Sequence, residues 1–390
     1  MNEFVKLSDL CILITKGSTP TTYGYSFKNE GIPFIKAEAL NGDVSLDVKG
    51  FSYIDDETHN FLKRSKIYPN DILMTIAGAN IGKTGFVREN ISEANTNQAV
   101  AIIRLDKEKV CPQFYYYYFK QKTFFKFVQS LNAQAAQPNI NLKMIGDFLV
   151  PKLEIDTQLK VVSILGTIDD LYLCNLDRIT KSKQIILNLY QEWFINFKFP
   201  NHEQVKFVDG IPEGWEYNEL VELFVLQRGF DLSNSKRILG DVPIYASTGI
   251  VGYHNEHKVL EKTVITGRSG SLGEVMITNG PSWPLNTTLW VKDFKKFTPE
   301  MAYFTLKNLG LESFNAGAAV PTLNRNDVHK VKVLTPTKEI IDEFSKLASQ
   351  IFDQIHLLKL KNEKLVELKE TLLPRLMSGE LDVSKLSSIE

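Results

Sequence analysis

Cysteine is scarce. Three residues, Cys11, Cys111 and Cys174, lie far apart in a chain of 390 and form no C-x-x-C pair. That excludes a disulfide framework and a zinc ribbon, and it suits a reducing compartment, so a cytoplasmic protein is expected. Long apolar runs are missing too: nothing approaches the about 18 residues of a membrane-spanning helix. The N-terminus has only the short run Leu10 to Ile14, too little for a secretion signal. Nor is there an excess of charge of one sign, since 45 Lys and Arg face 46 Asp and Glu, a net charge of -1. A protein that grips nucleic-acid phosphates unaided is usually basic, so such a role would need partners to supply much of the backbone contact.

Catalytic signatures are equally sparse. No N/D-P-P-Y/F run and no Gly-rich cofactor loop occurs, which removes adenine methylation from the candidate activities. Asp47-Val48-Lys49 is the one tempting nuclease-like triplet, and no Pro-Asp precedes it. His254-Asn255-Glu256-His257 offers two imidazoles, but without a nearby cysteine or a helical pattern it reads as a polar loop rather than a zinc site. Ala77-Gly78-Ala79-Asn80-Ile81-Gly82-Lys83-Thr84 imitates a phosphate-binding loop. The motif needs a glycine five residues before the second one, and position 77 is Ala.

What is present is a repeat. Asn132-Ala133-Gln134-Ala135-Ala136-Gln137-Pro138-Asn139-Ile140-Asn141 lies over Asn315-Ala316-Gly317-Ala318-Ala319-Val320-Pro321-Thr322-Leu323-Asn324, with both Asn ends and the Pro in register. Upstream, Pro112-Gln113-Phe114-Tyr115-Tyr116 answers Pro299-Glu300-Met301-Ala302-Tyr303, Asn95-Thr96 answers Asn286-Thr287, and Ile81-Gly82 answers Leu272-Gly273, with the offset drifting as loop insertions require. Each half has a mixed segment with short β-like runs, such as Ile72 to Ile76, Val100 to Leu105, Thr263 to Thr266 and Thr288 to Val291, followed by a helical segment rich in Leu, Ile and Lys. The aromatic cluster Phe114 to Phe119 is expected to be core rather than a base-stacking platform, because its second copy substitutes other apolar residues.

The helical segments carry a sustained three-four spacing. Leu165, Ile168, Tyr172, Asn175, Ile179, Ser182, Ile186, Leu189 and Trp193 lie over Ala348, Ile351, Ile355, Leu358, Asn362, Leu365, Lys369, Leu372 and Leu376. Such a stripe faces a partner helix over many turns. Antiparallel pairing is the simpler topology, and bringing polar layers together predicts a register that sets Asn175 against Lys369 and Ser182 against Asn362. The same register sets Ile179 against Leu365 and Trp193 against Ile351.

A domain that ends in a Pro-bearing strand, then an acidic-x-x-Gln start and a long helix with an Ile-Asp pair, all repeated once, resembles the specificity subunit of type I restriction-modification systems. The residues that carry the resemblance are Val150-Pro151-Lys152-Leu153-Glu154-Ile155-Asp156-Thr157-Gln158 with Ile168-Asp169-Asp170, and a looser second copy, Leu334 to Ile340 with Ile351-Phe352-Asp353, that lacks the Gln. The Gly-centred loops Gly78 to Lys83 and Arg268 to Glu274 and the ending Leu372 to Gly379 are similar to that family's.

The resemblance implies an α+β fold, with two tandemly repeated, β-rich target-recognition domains separated by two long antiparallel helices that form a coiled coil. The expected division is 1–154 for the first recognition domain, 155–198 for a central spacer helix, 199–337 for the second recognition domain, 338–380 for a C-terminal helix and 381–390 for a tail. It implies a non-catalytic chain that reads a bipartite site in double-stranded DNA. Two methyltransferase (M) subunits, and restriction (R) subunits through them, would be its partners, with no membrane. S-adenosylmethionine, ATP and Mg would sit on those partners, and no cofactor or metal on this chain.

Base-reading residues are expected in polar loops that differ between the halves, since Arg and Lys pair with guanine and Asn and Gln with adenine. The candidates are Lys16, Thr19, Thr21, Tyr23, Lys36, Asn80 and Lys83 in the first half. In the second half they are Arg228, Lys236, Arg237, Thr248, Tyr253, His254, Arg268 and Ser271. The alternatives are a P-loop-like nucleotide-binding enzyme, a coiled-coil DNA-binding scaffold without sequence specificity, and a specificity subunit of a related restriction enzyme outside type I.

Overall fold

The computed structural model describes residues 3–41, 46, 50–78, 80–131, 139–314 and 322–383. Asp47-Val48-Lys49 and most of the repeated segments from Asn132 and from Asn315 lie outside the described residues. The chain divides into two compact units, Met1–Cys174 with Asn362–Glu390, and Asn175–Lys361.

In the first unit, Cys11–Lys16, Val100–Leu105, Ile72–Thr75 and Thr84–Phe86 form an antiparallel sheet in that order. A second sheet orders Phe51–Ile54, Ile32–Ile35, Ala94–Thr96 and Lys66–Ile67, with a parallel pairing between Ile32–Ile35 and Ala94–Thr96. Glu3–Lys6 pairs antiparallel with Leu149–Lys152, a two-stranded ribbon in which Pro151 costs no central ladder bond.

The second unit repeats the plan. Phe224–Arg228, Thr288–Phe294, Val264–Gly267 and Val275–Ile277 form the antiparallel sheet, and Gly249–His254, Val242–Ala246 and Trp283–Pro284 form the smaller one, again with a single parallel pairing. Glu216–Glu219 pairs with Lys332–Thr335 as the ribbon. The repeat in the letters is therefore a repeat in strand order.

Helix Pro112–Lys120 and its counterpart Pro299–Asn308 both open on a proline, whose fixed φ suits a first turn and whose missing N–H is no loss there. Phe114, Tyr115, Tyr116, Tyr117 and Phe119 are all buried in the first core, and Met301, Ala302, Phe304 and Leu306 in the second. Burial of each large ring contributes roughly 2 to 3 kcal/mol, so these helices anchor their sheets. The repeated Asn ends have a local cause. Asn141 caps helix Leu142–Gly146 by accepting from Met144 N at 2.9 Å, and Asn324 caps Arg325–His329 by accepting from Asn326 N at 3.0 Å.

The long helices are Ile155–Tyr190, 36 residues, and Lys338–Met377, 40 residues, and each contributes to both units. Within each unit the two stretches run antiparallel: Asp169 and Tyr172 meet Lys369 and Asn362 in the first, and Ile179 and Tyr190 meet Ile355 and Phe344 in the second.

The register predicted from polar layers does not hold. Lys369 Nζ lies 2.6 Å from Asp169 Oδ1, not against Asn175, and Asn362 donates to the Tyr172 carbonyl at 3.2 Å instead of meeting Ser182. Ile179 packs with Ile355 and Leu358 instead of Leu365, and Trp193 sets its ring 5.9 Å from Phe344. The displacement is about one heptad, and it has a simple reason. A slip by one heptad keeps most of the apolar layers, so the stripe chooses only weakly between registers. A part-buried lysine gains more from a carboxylate than from an amide, and the ion pair decides.

Candidate nucleic-acid interface

The loop from Ala77 to Lys83 is a hairpin connection. Thr84–Phe86, which follows it, pairs back antiparallel on Ile72–Thr75. A phosphate-binding loop must run from a strand into a helix whose N-terminal amides face the anion, so the nucleotide-binding alternative has no structural basis here. Gly78 and Gly82 take φ of 89° and 85°, a left-handed conformation that glycine adopts without strain. A Cβ on Gly82 would come within 2.9 Å of Val128, and Gln129 Nε2 donates to Ile81 O. The loop is thus clamped onto helix Lys122–Ser130.

At one end of the antiparallel four-stranded sheet of each unit the same set of backbone bonds ties three loops together. Gly17 N donates to Val100 O at 3.1 Å and Ser18 N to Thr96 O at 2.9 Å, as Gly229 N donates to Thr288 O at 3.1 Å and Phe230 N to Pro284 O at 2.8 Å. Ile76 N bonds Ala99 O and Arg268 N bonds Thr287 O, both at 2.8 Å. Ala77 bridges Asn139, and Ser269 bridges Thr322, so the repeated Asn-capped segment reaches the same rim. A Cβ at Gly17 would lie 2.1 Å from Thr96 O and one at Gly229 2.2 Å from Leu285 O, so only glycine permits this crossing.

These bonds set the true equivalences: Gly17 with Gly229, Thr19 with Asp231, Ile76 with Arg268, and Gln98 with Asn286. The sequence alignment of Asn95-Thr96 with Asn286-Thr287 is corrected accordingly. Asn95 is buried, donating to Leu62 O at 3.1 Å, whereas Asn286 sits on the rim.

The candidates separate into groups. Lys16 and Arg228 are equivalent, exposed, and stand immediately before the crossing glycine of each rim. Thr19 bonds Gln98, and Arg268 Nη1 donates to Asn286 O at 3.4 Å, so these residues belong to the rim as well. Thr21, Asn80 and Ser271 are exposed on its loops, and Tyr23, also exposed, packs edge-on to Phe61 with centroids 5.3 Å apart.

The others lie elsewhere. Lys36 covers the Phe27 ring at 4.4 Å beside the second sheet of the first unit. Lys83 lines a separate cleft of about 480 Å³ with Lys122, Lys126 and Glu370. Lys236, Arg237, Thr248 and Tyr253 sit on and around the smaller sheet of the second unit. His254 is buried, with Nδ1 held against the Ile238 backbone at 3.0 Å and its ring 5.0 Å from Trp283, so its imidazole is part of the packing rather than a base contact. Gln98 and Asn286 were not among the sequence candidates. Their signal was the repeat itself, obscured by a shared Asn-Thr dipeptide.

Each unit is fixed to its stretches of the long helices by a different chemistry. Gln158, buried at the start of the first long helix, accepts from Cys111 N at 2.9 Å and donates to Leu153 O at 2.8 Å. Its counterpart is the buried Ile341. Tyr117 Oη donates to Asp169 at 2.9 Å while Lys369 bonds the other carboxylate oxygen. Burial, and then the Asp169 charge, push the Tyr117 phenol far above its ordinary value, so it remains a donor. The matching positions in the second unit, Phe304, Phe352 and Ile186, make an apolar contact. Among the described residues no helix is long and apolar enough to cross a membrane.

The chain matches the model of the type I restriction modification DNA specificity domain twice, over residues 2–184 and 212–370. It is 24% identical over 411 residues to the type I restriction enzyme MjaIX specificity subunit of Methanocaldococcus jannaschii, covering 96% of this chain and 92% of that protein. It is 22% identical over 405 residues to the HindI specificity subunit of Haemophilus influenzae, with 82% and 88% covered. The crystal structure of a type I restriction-modification system S subunit from M. genitalium matches its fold with a TM-score of 0.65 at 16% identity, covering 96% of this chain and 95% of that one. With the family's domain matched over most of its length, this chain belongs to the type I restriction-modification DNA specificity subunits, which recognise DNA and carry no catalytic activity or cofactor of their own.

Proposed function

We propose that this specificity subunit reads a bipartite site in double-stranded DNA, one half with residues 1–154 and the other with residues 199–337. Two methyltransferase subunits assemble on it, and restriction subunits join through them. S-adenosylmethionine, ATP and Mg belong to those partners. The observation that carries the proposal is a rim built twice on one backbone pattern but furnished with different side chains, Lys16, Thr19 and Ile76 against Arg228, Asp231 and Arg268. Shared backbone with divergent polar tips is what two readers of unlike sequences require. The net charge of -1 leaves much of the phosphate contact to the partners.

The test is reconstitution with the methyltransferase subunits of the same system, followed by sequencing of methylated positions. A single two-part motif with an unread gap, absent when this chain is omitted, is the expected result. Methylation without sequence preference would favour a scaffold, and ATP binding by the isolated chain would revive the nucleotide-binding alternative.

A further inference from the structure

Gln98 and Asn286 occupy one position in the two units. The residue before each accepts the same turn bond, Val100 N to Asn97 O at 3.2 Å and Thr288 N to Leu285 O at 2.9 Å, and the residue after each accepts from Ile76 or Arg268. Both carry a side-chain amide, one of few polar groups the two rims share. Each amide is held by the residue two after the crossing glycine: Thr19 Oγ1 donates to Gln98 Oε1, and Asn286 Nδ2 donates to Asp231 Oδ1.

The two bonds run in opposite senses but leave the same remainder. The Gln98 carbonyl keeps a second lone pair and its NH2 keeps its hydrogens. Asn286 keeps its carbonyl and one N–H. A fixed amide with one donor and one acceptor free matches the N7 acceptor and N6 donor of adenine in the major groove, and no other base offers that pair there.

We infer that Gln98 and Asn286 are equivalent specificity-determining residues, each reading one adenine in its own half-site, with Thr19 and Asp231 as the positioning residues that aim them. The assignment rests on the two-part reading proposed above and goes further by naming the side chains and the base. Lys16 and Arg228, one step before the glycine, are left to contact phosphate or a neighbouring guanine.

The experiment uses the chain assembled with its methyltransferase subunits and a set of duplexes in which each base of both half-sites is varied in turn. Methylation rates are read for wild type, Gln98→Glu, Asn286→Ala, and the double variant Asp231→Thr/Asn286→Gln, which transplants the first unit's pair into the second. Glutamate keeps the shape and the Thr19 bond but accepts only, so Gln98→Glu is expected to shift preference from adenine toward cytosine at one position by about tenfold, leaving the other half-site untouched. Asn286→Ala should flatten discrimination at one position of the other half-site by a similar factor. The transplant should keep adenine there, which guards against a variant that merely fails to fold.

Base preferences within twofold of wild type in both Gln98→Glu and Asn286→Ala would overturn the assignment. So would a loss uniform across all duplexes, or a transplant that no longer selects adenine. A wild-type complex without two half-sites would instead overturn the reading on which it rests.

Discussion

Lys369 brings a charge to a side chain only 13% exposed, and the position is tolerable because Asp169, at 2% exposure, meets it at 2.6 Å while Tyr117 satisfies the other carboxylate oxygen. Removing one member of such a pair strands the other. Lys369→Ala is therefore expected to destabilise the first unit by about 3 kcal/mol. The triple variant Tyr117→Phe/Asp169→Phe/Lys369→Ile installs the apolar contact of the second unit and should recover at least half of that loss in chemical unfolding. Equal stability of Lys369→Ala and wild type would refute the role given to the pair.

A second residue makes stability depend on pH. Leu226 N donates to His329 Nε2 at 2.9 Å, which requires a neutral ring. Burial, then the charges of Arg325 and Lys295, hold this imidazole below its ordinary value of 6.5. The unfolded chain binds a proton that the folded unit refuses, so the contribution is complete above pH 6.5 and is lost as pH falls below it toward the folded-state value. Thermal unfolding of the second unit should decline through that window, and His329→Gln should remove that part of the decline. An identical pH profile in the variant would contradict it.

At the scale of elements, the repeat, the two long helices and the strand-rich domains are legible because each leaves a periodic trace in the letters: apolar spacing, a proline at helix starts, an asparagine at caps. The stripe alone does not single out the register, since a heptad slip preserves most of its apolar layers. The signal that decides it, Asp169 opposite Lys369, needs an ion pair weighed above an amide layer. A cross-link between Ile179→Cys and Leu358→Cys in a Cys174→Ser background should form readily, because these side chains share one buried cluster. Efficient linking of Ile179→Cys to Leu365→Cys instead would restore the register read from the sequence. The rim was half legible: Lys16 and Arg228 stand out as cations beside glycine. Gln98 emerges only when backbone bonds replace letter matching, because the connection from Phe86 to Gln98 is longer than its counterpart from Ile277 to Asn286 and shifts the offset.

For the whole molecule, two units that share the antiparallel sheet and the ribbon but carry unlike rim side chains are what the proposed modular recognition requires. The glycine crossings, the capped segments and the anchoring helices can stay constant while the tips change, since the backbone bonds that shape each rim do not involve the side chains that differ. Net charge near zero fits a reader whose grip on the phosphates is shared with other subunits.

The most direct test replaces residues 199–337 with the corresponding segment of a relative that has a different site, and sequences the positions methylated by the assembled complex. The predicted result is a motif in which one half changes to the relative's half and the other half is retained. A motif in which both halves change, or neither does, would contradict modular recognition.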